Sequence, residues 1–200
     1  MGNRADLLAG ARRCLQDKGW ARITVRDIAA ESGVSMAAIG YHFGSREALL
    51  TSALIEAIDE WGTRLGRTLS SYGTQGETTA EHYEALWAAV IESFVTDRTL
   101  WLATLEALVQ AEHSDELRRY LSGGQVEGRR GLAALLRGTA EDQIDDATAR
   151  TLGATQLALF TGLMTQWLTD PQQAPNASEV VSGLRALTPL VSDTRRRPSP

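Results

Sequence analysis

The sequence predicts an all-α protein, and three observations carry that reading. Apolar residues recur with the 3.6-residue period along almost the whole chain, and no strict alternation survives more than a few residues. The segments so defined are bounded by glycine, proline and capping side chains at the positions helices use. The chain has 200 residues, enough for one or two ordinary domains. Its 43% hydrophobic and 22% charged content excludes disorder, collagen and a coiled-coil rod.

Taken in order, the first helix spans about Asn3 to Lys18, with Leu8, Ala11 and Leu15 on one face and Gly19 as its stop signal. Thr24 opens the second, its hydroxyl able to cap the Asp27 amide while the Asp27 carboxylate reaches back. Gly33 ends that helix, and Ser35 caps a short third one through Tyr41. Ser45 caps a fourth with the stripe Leu50, Leu54, Ala57, Ile58, Trp61 and Leu65. Residues 72–79 have the composition of a surface loop. Two helices follow with a break near Asp97, both apolar enough to be largely buried.

Ser114 opens a seventh helix running to about Arg137, and the pair Gly123 and Gly124 leaves open whether it is one helix or two. The eighth spans roughly Asp145 to Leu168. Its charge-free run from Thr151 to Thr169 has the length to cross a bilayer. Thr151, Thr155, Gly162, Gln166 and Thr169 share one face of it, however, which hydrocarbon disfavours; a buried helix of a soluble, non-membrane protein is the better reading. Asn176 and Glu179 form a capping box for a last helix, which Pro189 should end or kink. Residues 193–200 read as a disordered tail.

A single cysteine, Cys14, allows no intramolecular disulfide and no cysteine-based metal site; it reads as an apolar filler or, less simply, a redox sensor. The scattered His42, His82 and His113 leave little for a metal centre, so neither metal nor cofactor is expected. No Ser-His-Asp set or paired catalytic carboxylate stands out, which argues against an enzyme. The glycines from Gly123 are not a phosphate loop, because no strand precedes them. Arg4 and Asp6 interrupt the N-terminus before any apolar run of signal-peptide length, which points to the cytoplasm.

Residues 24–50, TVRDIAAESGVSMAAIGYHFGSREALL, specify a helix-turn-helix. Two helices crossing steeply need a small residue at the crossing, a glycine at the turn and an apolar lock on the second helix. Ala29, Gly33 and Ile39 fill those positions, and Ile28, Val34 and Phe43 complete the small core. The second helix of such a motif lies in the DNA major groove.

The same stretch closely resembles the TetR family of bacterial transcriptional regulators: T-V-R-D-I-A at the start, G-V-S at the turn, Y-H-F closing the recognition helix, and a basic residue before E-x-L-L. With the first helix the resemblance covers about the first quarter of the chain. It implies a homodimer with an N-terminal three-helix helix-turn-helix head, residues 1–47, and a larger helical effector-binding and dimerisation body, residues 48–192. By that resemblance Thr24 holds a phosphate, and Arg26 reaches a base or a phosphate. Ser35, Met36 and Ala37 begin the recognition helix, Tyr41 and His42 form its phosphate-facing end, and Arg46 is the basic residue of the fourth helix. His42 fits a packed core residue equally well. Gly40 stands where many relatives carry an aromatic residue, and Met36 where many carry a basic or polar one. Readout is therefore expected to lean on Arg26 and on apolar contact with thymine methyls.

In the body, Trp87, Phe94, Trp101, Phe160 and Met164 read either as ordinary core or as the lining of a pocket for an apolar or aromatic small-molecule effector. Glu92 and Glu106 border apolar stripes, as solvated residues or as carboxylates selecting a cation. The eighth helix has more than one apolar face. Leu152, Thr155, Leu159, Gly162, Leu163 and Trp167, with Leu184 of the last helix, are the candidate dimer interface, a fully internal helix being the other reading.

The functional expectation is a ligand-responsive repressor that binds a palindromic double-stranded DNA operator as a homodimer. The competing expectation is a helical sensor or interaction protein without specific DNA binding, favoured by Gly40 and Met36. A net charge of −5 looks unsuited to DNA, but residues 1–47 carry seven basic and five acidic residues, a net +2, and the remainder is −7.

Overall fold

The computed structural model describes residues 2–70 and 80–192, and these are organised entirely by helices and turns. The predicted loop at 72–79 and the tail at 193–200 lie outside the described residues. The head holds α1 (Asn3–Lys18), α2 (Val25–Ser32) and α3 (Met36–Phe43). The long α4 (Arg46–Ser70) leads out of it. The body continues with α5 (Ala80–Thr96), α6 (Arg98–Gln110), α7 (Asp115–Arg137), α8 (Asp146–Thr148), a π-helical segment (Ala149–Gly153), α9 (Ala154–Thr169) and α10 (Ala177–Val191).

The local signals place most boundaries. Gly19 takes φ 71° after α1 and donates its amide to Leu15, and Gly33 is left-handed after α2. The Thr24–Asp27 and Asn176–Glu179 capping boxes both form. Ser45 accepts the Ala48 amide at 3.0 Å and Ser114 that of Leu117 at 3.2 Å. Ser35 stands at the start of α3 as expected, but its hydroxyl makes no capping bond.

One open reading is resolved and three expectations need correction. α7 is one helix through Gly123 and Gly124, because its ends are anchored by buried Leu117 and by Ala133 and Ala134. Pro189 neither ends nor breaks α10; Val191 is the last helical residue, and Ser192 closes the turn by donating to the Thr188 carbonyl. α5 and α6 are buried on one side only, with Val95, Leu102, Leu108 and Val109 exposed on the other. The predicted eighth helix is interrupted by the π-helical segment, and it is not wholly internal: Thr155, Gly162, Thr165, Gln166 and Thr169 face outward. A Cβ built on Gly153 would lie 2.0 Å from the Arg129 carbonyl oxygen, so the α7 backbone runs directly against the widened turn.

Two apolar cores result. The first joins α1 to α4 and takes in Ala103, Ala107 and Ala111 after them and Leu117 of α7; these alanines let α6 approach α1 and α4 closely. The second gathers Leu65 with residues of α5, α6, α9 and α10. In the head α1 meets α2 closely at Gly10, whose Cβ would lie 2.7 Å from that of Ser32; Ala29, expected at the crossing of α2 with α3, is half-buried. Among the described residues no helix is long and apolar enough to cross a membrane.

Candidate DNA-binding face and ligand core

On α3, Ile39 points into the head core while Met36, Ala37, Gly40 and Tyr41 are exposed, Tyr41 at 86%. Ser35 is exposed beside them, and His42 is half-buried, its ring edge-on to Tyr41 at 4.9 Å. The exposed face of α3 is therefore small and almost uncharged, as the recognition-helix sequence implies.

Most cations of the head are engaged. Arg12 pairs with Glu60, Arg13 with Glu31 and Lys18 with Asp27. Arg4 lies over the Phe43 ring at 5.1 Å, and Arg22 donates to the Lys18 carbonyl at 2.9 Å. Arg26 is exposed, with no hydrogen bond or ion pair among the described residues. The Arg26 guanidinium thus remains uncommitted, as a bidentate contact to guanine would need.

Two candidate DNA-binding residues, Thr24 and Arg46, are otherwise occupied. The Thr24 hydroxyl donates to Asp27 Oδ2 at 2.7 Å and accepts the Asp27 amide at 3.2 Å. Its proton is taken, and the donors left at the start of α2 are backbone amides, which suit an anion. Arg46 turns inward: Nε donates to the Ile23 carbonyl at 2.5 Å, one terminal nitrogen to the Trp20 carbonyl at 2.8 Å and the other to Glu47 at 2.8 Å. It clamps the loop before α2. Lys18 and Thr24 hold the Asp27 carboxyl well below the usual carboxylate range, and that bond raises the Lys18 ammonium in turn.

In the body the structure gathers Trp87, Phe94, Trp101, Phe160 and Met164 into the second core. Trp61 of α4 joins them, with ring centroids 4.8 Å from Trp101 and 5.3 Å from Phe160. Phe94 and Phe160 meet at 5.3 Å, as do Trp101 and Phe160. Trp61 was visible in the sequence only as part of the α4 stripe; nothing local links it to rings forty and more residues away. Trp101 donates its indole N–H to the Ser93 carbonyl at 2.9 Å, and Tyr83 its hydroxyl to Gln156 at 2.8 Å. Among the described residues the Trp87 indole N–H and the Arg129 Nε are buried without a hydrogen-bond partner. Surface depressions of about 260 Å³ and 400 Å³ lie elsewhere, the first lined by Ala21, Leu105, Glu106, Val109 and Gln110 and the second by Glu116, Arg119 and Tyr120.

Glu106 faces the head: its carboxylate accepts the Ala21 amide at 2.8 Å. Glu92 is exposed. Of the candidate interface residues, Thr155 and Gly162 are exposed, Leu152, Leu159, Trp167 and Leu184 are half-buried, and Leu163 packs into its own core. α10 adds exposed Leu187, Leu190 and Val191. Burial pushes the Cys14 thiol up, away from the reactive thiolate. Among the described residues no group of three or more His, Cys, Asp or Glu could hold a metal ion.

Comparison with known proteins agrees with this arrangement. A curated relative, the HTH-type transcriptional regulator BetI of Brucella canis, is 30% identical over 118 residues, 59% of this chain and 58% of its own, so the match spans less than two thirds of that protein. The structure of the multidrug binding protein EbrR complexed with imidazole is 26% identical with a TM-score of 0.65, covering 92% of this chain and 95% of that one. A TetR transcription regulator from Haloarcula marismortui shares the fold at 20% identity and a TM-score of 0.59, covering 92% and 93%. The family model for bacterial regulatory proteins of the tetR family matches residues 7–53, and that for the tetracyclin repressor-like C-terminal domain matches residues 78–190, more than half of the chain. The chain belongs to the TetR family of bacterial transcriptional regulators.

Proposed function

We propose that the protein is a repressor that binds a palindromic operator as a homodimer and is released from it by a small-molecule effector. The observation that carries the proposal is the unbroken course of α4. It begins at Arg46, which grips the loop leading into α2, and at Trp61 it enters the aromatic core of the body. Twenty-five residues at about 1.5 Å rise make it a rod of roughly 37 Å. A guest that displaces Trp61 therefore moves the element that holds the head.

In this reading residues 1–47 are the DNA-binding unit, with Arg26, Met36, Ala37 and Tyr41 at the DNA and Ser35, His42 and the amides at the start of α2 near phosphates. Arg46 acts indirectly, by holding the loop. Residues 48–192 bind the effector among Trp61, Trp87, Phe94, Trp101, Phe160 and Met164. The outward face of α9 with Thr155 and Gly162, flanked by Leu152, Leu159, Trp167 and Leu184 and by the exposed apolar end of α10, supplies the dimer interface. Two heads must then reach major-groove half-sites about 34 Å apart or a multiple of it. An effector that favours another spacing lowers operator affinity by its preference for that state. EbrR, which binds imidazole within a similar fold, supports a small-molecule site in the body.

Selection of bound sequences from random DNA at stated salt, followed by a screen for compounds that release the winner, tests the proposal. A palindrome with regularly spaced half-sites and at least one releasing compound are expected. Absence of any enriched sequence would leave the helical sensor as the reading that exposed Met36 and Gly40 favour.

A further inference from the structure

We propose that the effector is an uncharged aromatic molecule carrying a hydrogen-bond acceptor, and that the Trp87 indole N–H is the group that reads that acceptor. The inference rests on the aromatic core being the effector site. Trp87 has no exposed surface, and its Nε1 has no hydrogen-bond partner among the described residues. Buried donors in native proteins are almost always paired, and an unpaired one bears the full desolvation penalty of its N–H.

Two other indoles of the body are satisfied: Trp101 donates to the Ser93 carbonyl at 2.9 Å, and half-buried Trp167 to the Pro175 carbonyl at 3.0 Å. Tyr83, edge-on to Trp87 with centroids 6.3 Å apart, has already placed its hydroxyl proton on Gln156. Trp87 is left holding a donor where a guest could supply what the protein does not. A carbonyl on the guest would recover the lost hydrogen bond.

Charge on the guest is disfavoured by what lines the interior. The buried polar side chains among the described residues are Thr51, Ser93 and Gln156, none of them ionisable. Among the described residues a cation would find no buried carboxylate, only ring faces, and a carboxylate would find no fully buried cationic residue, Arg129 being half-buried with its Nε inside. Trp61, Trp101 and Phe160 meet near right angles or tilted, so a flat guest that displaces Trp61 exchanges edge contacts for stacking.

The test is calorimetric titration of the full chain with four probes of one size class. These are 2-acetonaphthone, its acceptor-free counterpart 2-ethylnaphthalene, the anion 2-naphthoate and the cation proflavin. 2-Acetonaphthone should bind about tenfold more tightly than 2-ethylnaphthalene. Trp87→Phe should reduce that preference to less than about twofold, whatever it does to the affinity for either probe alone. In the unsubstituted protein the Trp87 Hε1 resonance should move downfield with the ketone and not with the hydrocarbon, a readout that survives a variant that fails to fold. Equal affinity for the two neutral probes, tighter binding of 2-naphthoate or proflavin, an unmoved Trp87 resonance or no binding at all would overturn the inference. Operator binding, measured in parallel, separates the two readings: a protein that prefers the ketone through Trp87 but ignores DNA supports this site and removes the repressor.

Discussion

Arg46 and Glu106 hold opposite polarities of one short loop. The guanidinium at the start of α4 takes the carbonyls of Trp20 and Ile23, and the carboxylate on α6 takes the amide of Ala21 between them. The loop feeds directly into Thr24 and the cap of α2. A shift of α6 relative to α4 would therefore act on the origin of the helix-turn-helix through these hydrogen bonds.

Removing either grip should have distinct consequences. Arg46→Ala loses two charge-assisted bonds to backbone carbonyls and should cost about 2 kcal/mol in urea unfolding, with no change in which operator sequences are preferred. Glu106→Ala should cost about 1 kcal/mol and weaken release by effector more than it weakens operator binding. A base-specific loss in Arg46→Ala would instead place Arg46 on the DNA.

Asp27 makes the cap of α2 acid-sensitive. Its carboxyl stays ionised in the folded chain to lower pH than in the unfolded one, because Lys18 and Thr24 hold it. That contribution is fully present above the ordinary carboxylate pKa of about 4 and is lost as pH falls through it toward the folded value. The stability advantage over Asp27→Asn should be constant from about pH 5 to 8 and shrink below about pH 4. Lys18, raised by the same bond, contributes fully below its ordinary pKa of about 10.4 and loses that contribution above it. Unfolding curves of both proteins across this range provide the check.

Glycines of like appearance in the sequence should part company. Gly153→Ala drives a methyl into the Arg129 carbonyl and should destabilise by about 3 kcal/mol or prevent folding. Gly124→Ala meets no atom within 4 Å on an exposed helical face and should stabilise by about 0.5–1 kcal/mol. Thermal melts of the two variants compare them directly.

What was legible in the sequence divides along the range of the interaction. The Thr24–Asp27 and Asn176–Glu179 boxes and the left-handed Gly33 could be read because cap and partner lie within a few residues. The inward turn of Arg46, the reach of Glu106 to Ala21 and the approach of Trp61 to Phe160 join residues 23, 85 and 99 positions apart, and no local pattern encodes them. Arg46 illustrates the difference: its position in the motif marks it as basic and near DNA, while its neighbours in space decide where the charge goes. No local pattern marks the π-helical segment, and the Arg129 carbonyl that lies against Gly153 comes from another helix.

The proposed interface can be tested on the exposed end of α10. Leu187→Glu places a carboxylate where the two copies would meet and should convert a dimer to a monomer in light scattering, with operator affinity lost in parallel. An unchanged mass would move the interface elsewhere.

The central claim is that two copies read a palindrome through α3 and Arg26. The most direct measurement is the affinity of the protein and of Arg26→Ala for the selected operator and for each single-base variant of it, at fixed salt. The expected result is a loss of about 1–3 kcal/mol at symmetric positions in both half-sites, present in the protein and flattened in Arg26→Ala. Uniform weakening across all the sequences would contradict it, making Arg26 a phosphate contact and removing the basis for specific readout.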